Sequence, residues 1–110
     1  MNRLSQYRNM WLFVFFDLPT ETKQERKEYA KFRKNLLNDG FNMFQFSFYI
    51  RYCASKENAD VHSKRVRSFL PPNGYVGMMT ITDKQFSQIE IFFEQEKTPP
   101  MHEGIQLEIF

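Results

Sequence analysis

Residues 11–19 read Trp11-Leu12-Phe13-Val14-Phe15-Phe16-Asp17-Leu18-Pro19. The run from Trp11 to Phe16 has no polar alternation, the pattern of a strand buried on both faces. Asp17 ends it abruptly, and Pro19, which has no N–H to give a ladder, marks the turn that follows. Such a strand belongs in the middle of a sheet and needs apolar cover on each side.

Downstream, Thr22 with Glu25 three residues on is a capping-box pattern, with Thr20 as an alternative cap. The helix it opens carries Tyr29, Phe32, Leu36 and Leu37 on one stripe, the spacing of a helix packed on a sheet. Asn38-Asp39-Gly40 stops it, Gly40 being suited to the left-handed position after a helix end. Phe41 to Arg51 is a strand region of period two: Phe44, Phe46, Phe48 and Ile50 alternate with Gln45, Ser47, Tyr49 and Arg51. Ser55 to Leu70 forms a second helix with Ala59, His62, Val66 and Phe69 on its apolar stripe. Pro71-Pro72-Asn73-Gly74 is a turn, Tyr75 to Thr82 a strand, Asp83 to Gln88 a single helical turn, and Ile89 to Glu94 a short strand. Residues 1–97 make one domain. Residues 98–110 are an extension in which the Thr98-Pro99-Pro100 linker precedes an alternating segment, Ile105 to Phe110.

With one bend in Phe41–Arg51 the order compresses to βαββαβ, an α+β ferredoxin-like arrangement with an antiparallel sheet and both helices on one face. The opposite face is then bare, yet the first strand is apolar on that side too. Thirteen Phe and 17% aromatic residues in 110 add more apolar surface than one small core readily hides. A large exposed apolar patch signals an interface, and a two-fold homodimer through the open sheet face closes it most simply. The segment Ile105–Phe110 is placed to add to the partner's sheet edge.

Composition excludes several classes. The single cysteine, Cys53, forbids an intrachain disulfide, fits a reducing cytoplasm and rules out Cys-rich zinc patterns. His62 and His102 have no metal-ligand spacing to it or to each other. The apolar run of the first strand is far short of the roughly 20 residues that a membrane helix needs. The net charge of +2 hides an asymmetry: 13 of the 15 Lys and Arg precede residue 71 with 7 of the 13 acids, so residues 71–110 are acidic. The basic part suits a polyanion, and the acidic residues Glu90, Glu94, Glu96, Glu103 and Glu108 suit a basic protein partner.

For chemistry, Asp17 is the leading candidate, because a carboxylate ending a rigid central strand points outward from a fixed backbone. One carboxylate is a poor Mg²⁺ site; the ion takes octahedral oxygen ligands, commonly one or two carboxylates with waters and phosphate oxygens. A second copy of Asp17 across a two-fold axis would complete it. There is no Gly-rich phosphate loop and no Gly-x-Ser-x-Gly. His62 reads as a packed core histidine, and Gln45, Ser47, Tyr49 and Arg51 as either a phosphate-binding row or the solvent side of a sheet. Candidate nucleic-acid contacts are Lys23, Arg26, Lys27, Lys31, Arg33 and Lys34 on the first helix and Lys64, Arg65 and Arg67 on the second. Such groups neutralise phosphates without reading bases, so binding is salt-sensitive and sequence-tolerant.

The segment Phe15-Phe16-Asp17-Leu18-Pro19 resembles the start of the CRISPR-associated protein 2 family. So do Arg26 to Leu37 with Arg33 inside it, Gly40-Phe41, Gln45-Phe46-Ser47-Phe48-Tyr49, Leu70-Pro71-Pro72-Asn73-Gly74 and Thr82-Asp83-Lys84-Gln85-Phe86. Together they cover nearly the whole chain in family order, and the first and last look most like members from type II systems. The resemblance implies a ferredoxin-like homodimer acting in spacer acquisition. There it bridges two dimers of the CRISPR integrase in a heterohexameric complex and supports the double-stranded DNA to be inserted. It also implies Mg²⁺-dependent endonuclease activity on RNA or double-stranded DNA, with Asp17 at the metal-binding, catalytic position and Ser47 in the Gln-x-Ser motif near it. Phe46 and Phe48 depart from the smaller or polar residues common beside that serine. The expected function is a dimeric adaptor, with nuclease activity at Asp17 as a second role. A stand-alone or toxin-like ribonuclease of similar fold is the alternative.

Overall fold

The computed structural model describes residues 9–93 and 96–97. Its elements run β1 (Met10–Asp17), α1 (Lys23–Asn38), β2 (Asn42–Gln45), β3 (Phe48–Cys53), α2 (Lys56–Ser68), β4 (Tyr75–Thr82), α3 (Asp83–Ser87), β5 (Phe92–Phe93) and β6 (Glu96–Lys97). The main sheet has the order β2-β3-β1-β4 with every neighbour antiparallel. This is the ferredoxin-like βαββαβ topology expected from the sequence. β1 is central, as its two-sided apolar character requires.

The sheet's two faces are covered unequally. Leu12, Val14 and Phe16 point toward the helices and pack with Phe32 and Leu36 of α1 and with Ala59 and Val66 of α2. Val14 and Leu36 are wholly buried, and each such side chain contributes about 1.5–3 kcal/mol. On the other face Phe13 and Ile50 pack with Phe86 of α3, joined by Trp11, Ile81, Ile89 and Ile91. Trp11 stacks on Phe86 at 3.9 Å and donates from Nε1 to Asp83 Oδ1 at 2.8 Å. The open face is therefore not bare throughout. The chain covers its Trp11 end and leaves the Asp17 end, with Phe15 and Tyr75, exposed.

Helix ends follow the sequence closely. Thr22 accepts from the Glu25 N–H while the Glu25 carboxylate accepts from the Thr22 N–H, a complete capping box. Ser55 caps α2, which ends at Ser68 rather than Leu70. Gly40 has φ +91°, the left-handed conformation expected after α1. Leu37, assigned to the buried stripe, is 39% exposed.

Two local expectations are corrected. The bend expected in Phe41–Arg51 is present as the β2–β3 hairpin, but the alternation does not run through it. Ser47 takes φ +66° at its tip, and the register shifts between Met43 and Gln45. Phe44, Phe48 and Ile50 do share the open face, but Phe46 leaves the row and is 83% exposed. Tyr49 lies buried in the core of the helix-covered face rather than in a solvent row. The short strand expected over Ile89–Glu94 contracts to β5, which pairs with β6 outside the main sheet, while Ile89 and Ile91 pack on the open face. The linker and the segment Ile105–Phe110 lie outside the described residues. No helix among the described residues is long and apolar enough to cross a membrane.

His62 is a buried histidine, as its place on the apolar stripe predicted, and its polarity is satisfied. Its Nδ1 lies 2.8 Å from Asp39 Oδ2, while Asp39 Oδ1 accepts from Arg65 Nη1 at 3.0 Å. Asp39 caps the end of α1, so one carboxylate ties the two helices together. Removing it strands a buried ring nitrogen. Asp39→Ala is expected to lower unfolding free energy by about 2 kcal/mol, read from the urea midpoint; an unchanged midpoint would contradict this role.

Candidate functional site

Asp17 ends β1 at the edge of the exposed half of the open face. It follows Trp11, Phe13 and Phe15 at period two, so its carboxylate is on the open side of the sheet. Directly across the β1–β4 ladder is Tyr75, and Phe15 lies across from Gly77. On the other side the β2–β3 tip comes close, where the Ser47 carbonyl accepts from the Phe16 N–H at 3.0 Å. Phe15, Asp17, Ser47, Tyr75 and Gly77 line a shallow depression of about 340 Å³.

Two glycines shape this corner. At Gly74, φ is +94°, and a Cβ would stand 2.7 Å from the Asp17 carbonyl oxygen. The Pro71–Gly74 turn thus holds the backbone of Asp17 from behind. A Cβ on Gly77 would reach 2.4 Å from Phe15 Cε2, so the Phe15 ring rests against bare β4 backbone.

The donor set around Asp17 is sparse. Among the described residues no three of His, Cys, Asp and Glu gather as a metal site would require. Among the described residues no Lys, Arg or His lines the depression. The carboxylate and the Ser47 hydroxyl of one chain are too few ligands to hold Mg²⁺ without further oxygens from a second chain or a bound phosphate.

The basic residues stand elsewhere. Lys23, Arg26, Lys27, Lys31, Arg33, Lys34, Lys64, Arg65 and Arg67 are all exposed, and all lie on the helices, which pack against the sheet face opposite Asp17. Spacings of four, four and three put Lys23, Lys27, Lys31 and Lys34 in one row on the outward side of α1. Three of the nine also have internal partners. Arg26 Nη1 donates to the Thr20 and Glu21 carbonyls at 3.1 and 2.9 Å, Arg65 holds Asp39, and Arg33 reaches the buried Tyr49 hydroxyl. Burial pushes that phenol above its usual range, and the Arg33 charge opposes the shift. Tyr75 and Gly77 carry no sequence signal for this corner, because only the register puts them beside Asp17. Of the acidic set, Glu90 is exposed, and Glu94, Glu103 and Glu108 lie outside the described residues.

A βαββαβ sheet whose first strand ends in an outward carboxylate, with a short helix folded over half of its open face, defines a small ferredoxin-like domain with a strand-end acidic site. The model of the CRISPR associated protein Cas2 family matches residues 10–89, from the first residue of β1 to just past α3, and the chain belongs to that family. It is 57% identical over 108 residues to a CRISPR-associated endoribonuclease Cas2 of Flavobacterium psychrophilum, covering 98% of this chain and 94% of the relative. A protein of the same name from Parvibaculum lavamentivorans is 48% identical, covering 92% of this chain and the whole of the relative. One from Ligilactobacillus salivarius is 51% identical over 80 residues, 73% of this chain and 79% of the relative.

Cys53 is buried among the core residues. Burial pushes its thiol above the usual range, with Arg51 opposing and Asp39 adding to the shift. A thiol raised in the folded state favours folding fully below the unfolded thiol's range and loses that contribution as pH rises through the folded value. Alkylation of the native protein at pH 8 is therefore expected to be slow and to accelerate sharply in denaturant. Equal rates in both conditions would place the thiol outside the core.

Proposed function

We propose that this chain is a structural adaptor of CRISPR spacer acquisition. Two copies associate through the open sheet face, the dimer bridges two integrase dimers in a heterohexameric complex, and duplex DNA lies along the basic helices. The observation that carries the adaptor reading is the isolation of Asp17. Among the described residues its depression is lined by no cation to meet a scissile phosphate, no second acid and no base, whereas the nine candidate cations of α1 and α2 stand on the opposite layer. Charge placed there gives affinity without positioning phosphate for cleavage. If the four lysines of the α1 row each neutralise one phosphate, raising salt from about 50 to about 200 mM weakens duplex binding roughly a hundredfold.

The dimer follows from the same surface. Phe13, Phe44, Phe48, Ile50, Ile91 and Phe92 line an apolar groove on the open face, and Phe92 is 62% exposed. An apolar surface of this kind on a small domain is best covered by a second copy.

A second reading, metal-dependent endonuclease activity on RNA or double-stranded DNA, has its support in the name the relatives carry, endoribonuclease, and in the exposed, rigidly held Asp17. It needs two Asp17 carboxylates brought together across the dimer to hold Mg²⁺, which would there stabilise charge on the phosphate. Asp17→Ala separates the readings. Under the adaptor account the variant remains dimeric and supports spacer acquisition at the wild-type level, whatever becomes of cleavage. Loss of acquisition in a folded, dimeric Asp17→Ala protein would overturn it in favour of the nuclease.

A further inference from the structure

A hollow of about 100 Å³ lies between the start of α1 and the turn that precedes β4. Leu18, Tyr29, Pro71 and Pro72 give it apolar walls, and Glu25 and Glu28 add two carboxylates. Among the described residues no Lys, Arg or His lines it. Its walls are fixed from both sides. At the start of α1, Arg26 Nη1 donates to the Thr20 and Glu21 carbonyls, and the Thr22–Glu25 capping box locks the first turn. Glu28 accepts from Gln24 Nε2 at 2.9 Å. Opposite, the prolines hold their own backbone, and the turn presses on Leu18. A Cβ at Gly74 would stand 2.8 Å from Leu18 Cδ2 and 3.0 Å from Leu18 Cα. A hollow formed in advance costs an incoming group little ordering.

We propose that this hollow takes an arginine side chain presented by a protein partner. The lining suits an occupant that is apolar along its length and cationic at its end. A phosphate is repelled by the carboxylates, and a wholly apolar group strips water from them and gives nothing back. An arginine meets both demands. Its stem lies on apolar walls, its flat guanidinium stacks on the ring of half-buried Tyr29, and its forked N–H groups donate to a carboxylate. Lysine has the stem but neither the plane nor the fork. Free arginine fits less well, because its own carboxylate would meet Glu25 and Glu28, and peptide bonds remove that charge. Leu18 belongs to the core of the helix-covered face, and Glu25 and Glu28 stand outside the row of Lys23, Lys27, Lys31 and Lys34. The site therefore uses neither the open face nor the lysine row, so it goes beyond the adaptor reading and stands independently of it.

The test is a two-dimensional amide NMR titration of the isotope-labelled full chain with acetyl-Gly-Arg-Gly-amide, its Lys and Gln counterparts, and free arginine. The Arg peptide is expected to shift the amides of Leu18, Tyr29 and Asn73, which line the hollow. The Lys peptide and free arginine are expected to shift them less, and the Gln peptide not at all. Glu28→Gln is expected to cut the shifts at fixed, sub-saturating Arg peptide roughly fivefold, with duplex affinity and mass in solution unchanged. The proposal is overturned if the Arg peptide leaves these amides in place, if the Lys or Gln peptide does as well, or if Glu28→Gln keeps the full shifts. Free arginine acting as strongly as the peptide would give the hollow to a small cation and overturn it too. A wild-type monomer that still shows the Arg-specific shifts would defeat the adaptor reading and leave this site standing.

Discussion

The structure depends on one constraint: β1 is apolar on both faces, and water can be kept from both only by covering each. The helices do this on one side, through Phe32, Leu36, Ala59 and Val66. On the other side the chain folds α3 back over the Trp11 end, with Trp11 stacked on Phe86, and this cover stops before Phe15. What remains exposed is the half of the strand that ends in Asp17. The location of the acidic site and the presence of an apolar open surface are thus two consequences of the same incomplete cover.

The cover also sorts the electrostatics. Helices packed on one face must send their polar residues outward, so the cations of α1 and α2 end on the far side of the molecule from Asp17. The sheet stands between these cations and Asp17, a separation on which the proposed adaptor reading rests. The buried Asp39–His62 contact, extended to Arg65, serves the same architecture by fixing the two helices to each other.

Much of this was legible in the sequence where local chemistry dictates structure. The run Trp11–Phe16, the Thr22–Glu25 capping box, Gly40 after α1 and the stripe of α2 each carry their cause within a few residues. The bend in Phe41–Arg51 was expected, but its position was harder to read, because period two continues through Phe46 and Ser47 in the sequence while the backbone turns there. Only the left-handed Ser47 reveals it, and serine carries no strong signal for that conformation. The surroundings of Asp17 were legible only as far as Asp17 itself. Tyr75 and Gly77 come beside it through strand register some sixty residues away in the chain, set by tertiary packing and not by local pattern. The half-covered open face was missed for a similar reason: a short helix directly after β4 does not declare which face it will fold onto.

The proposed dimeric bridge rests on the incompletely covered sheet. It is tested most directly by the mass of the protein in solution, from size-exclusion chromatography with light scattering, alone and then mixed with the integrase of the same CRISPR system. The account predicts a dimer that moves into a complex containing two integrase dimers. A stable monomer that leaves the integrase unshifted would contradict both the open-face interface and the bridging role.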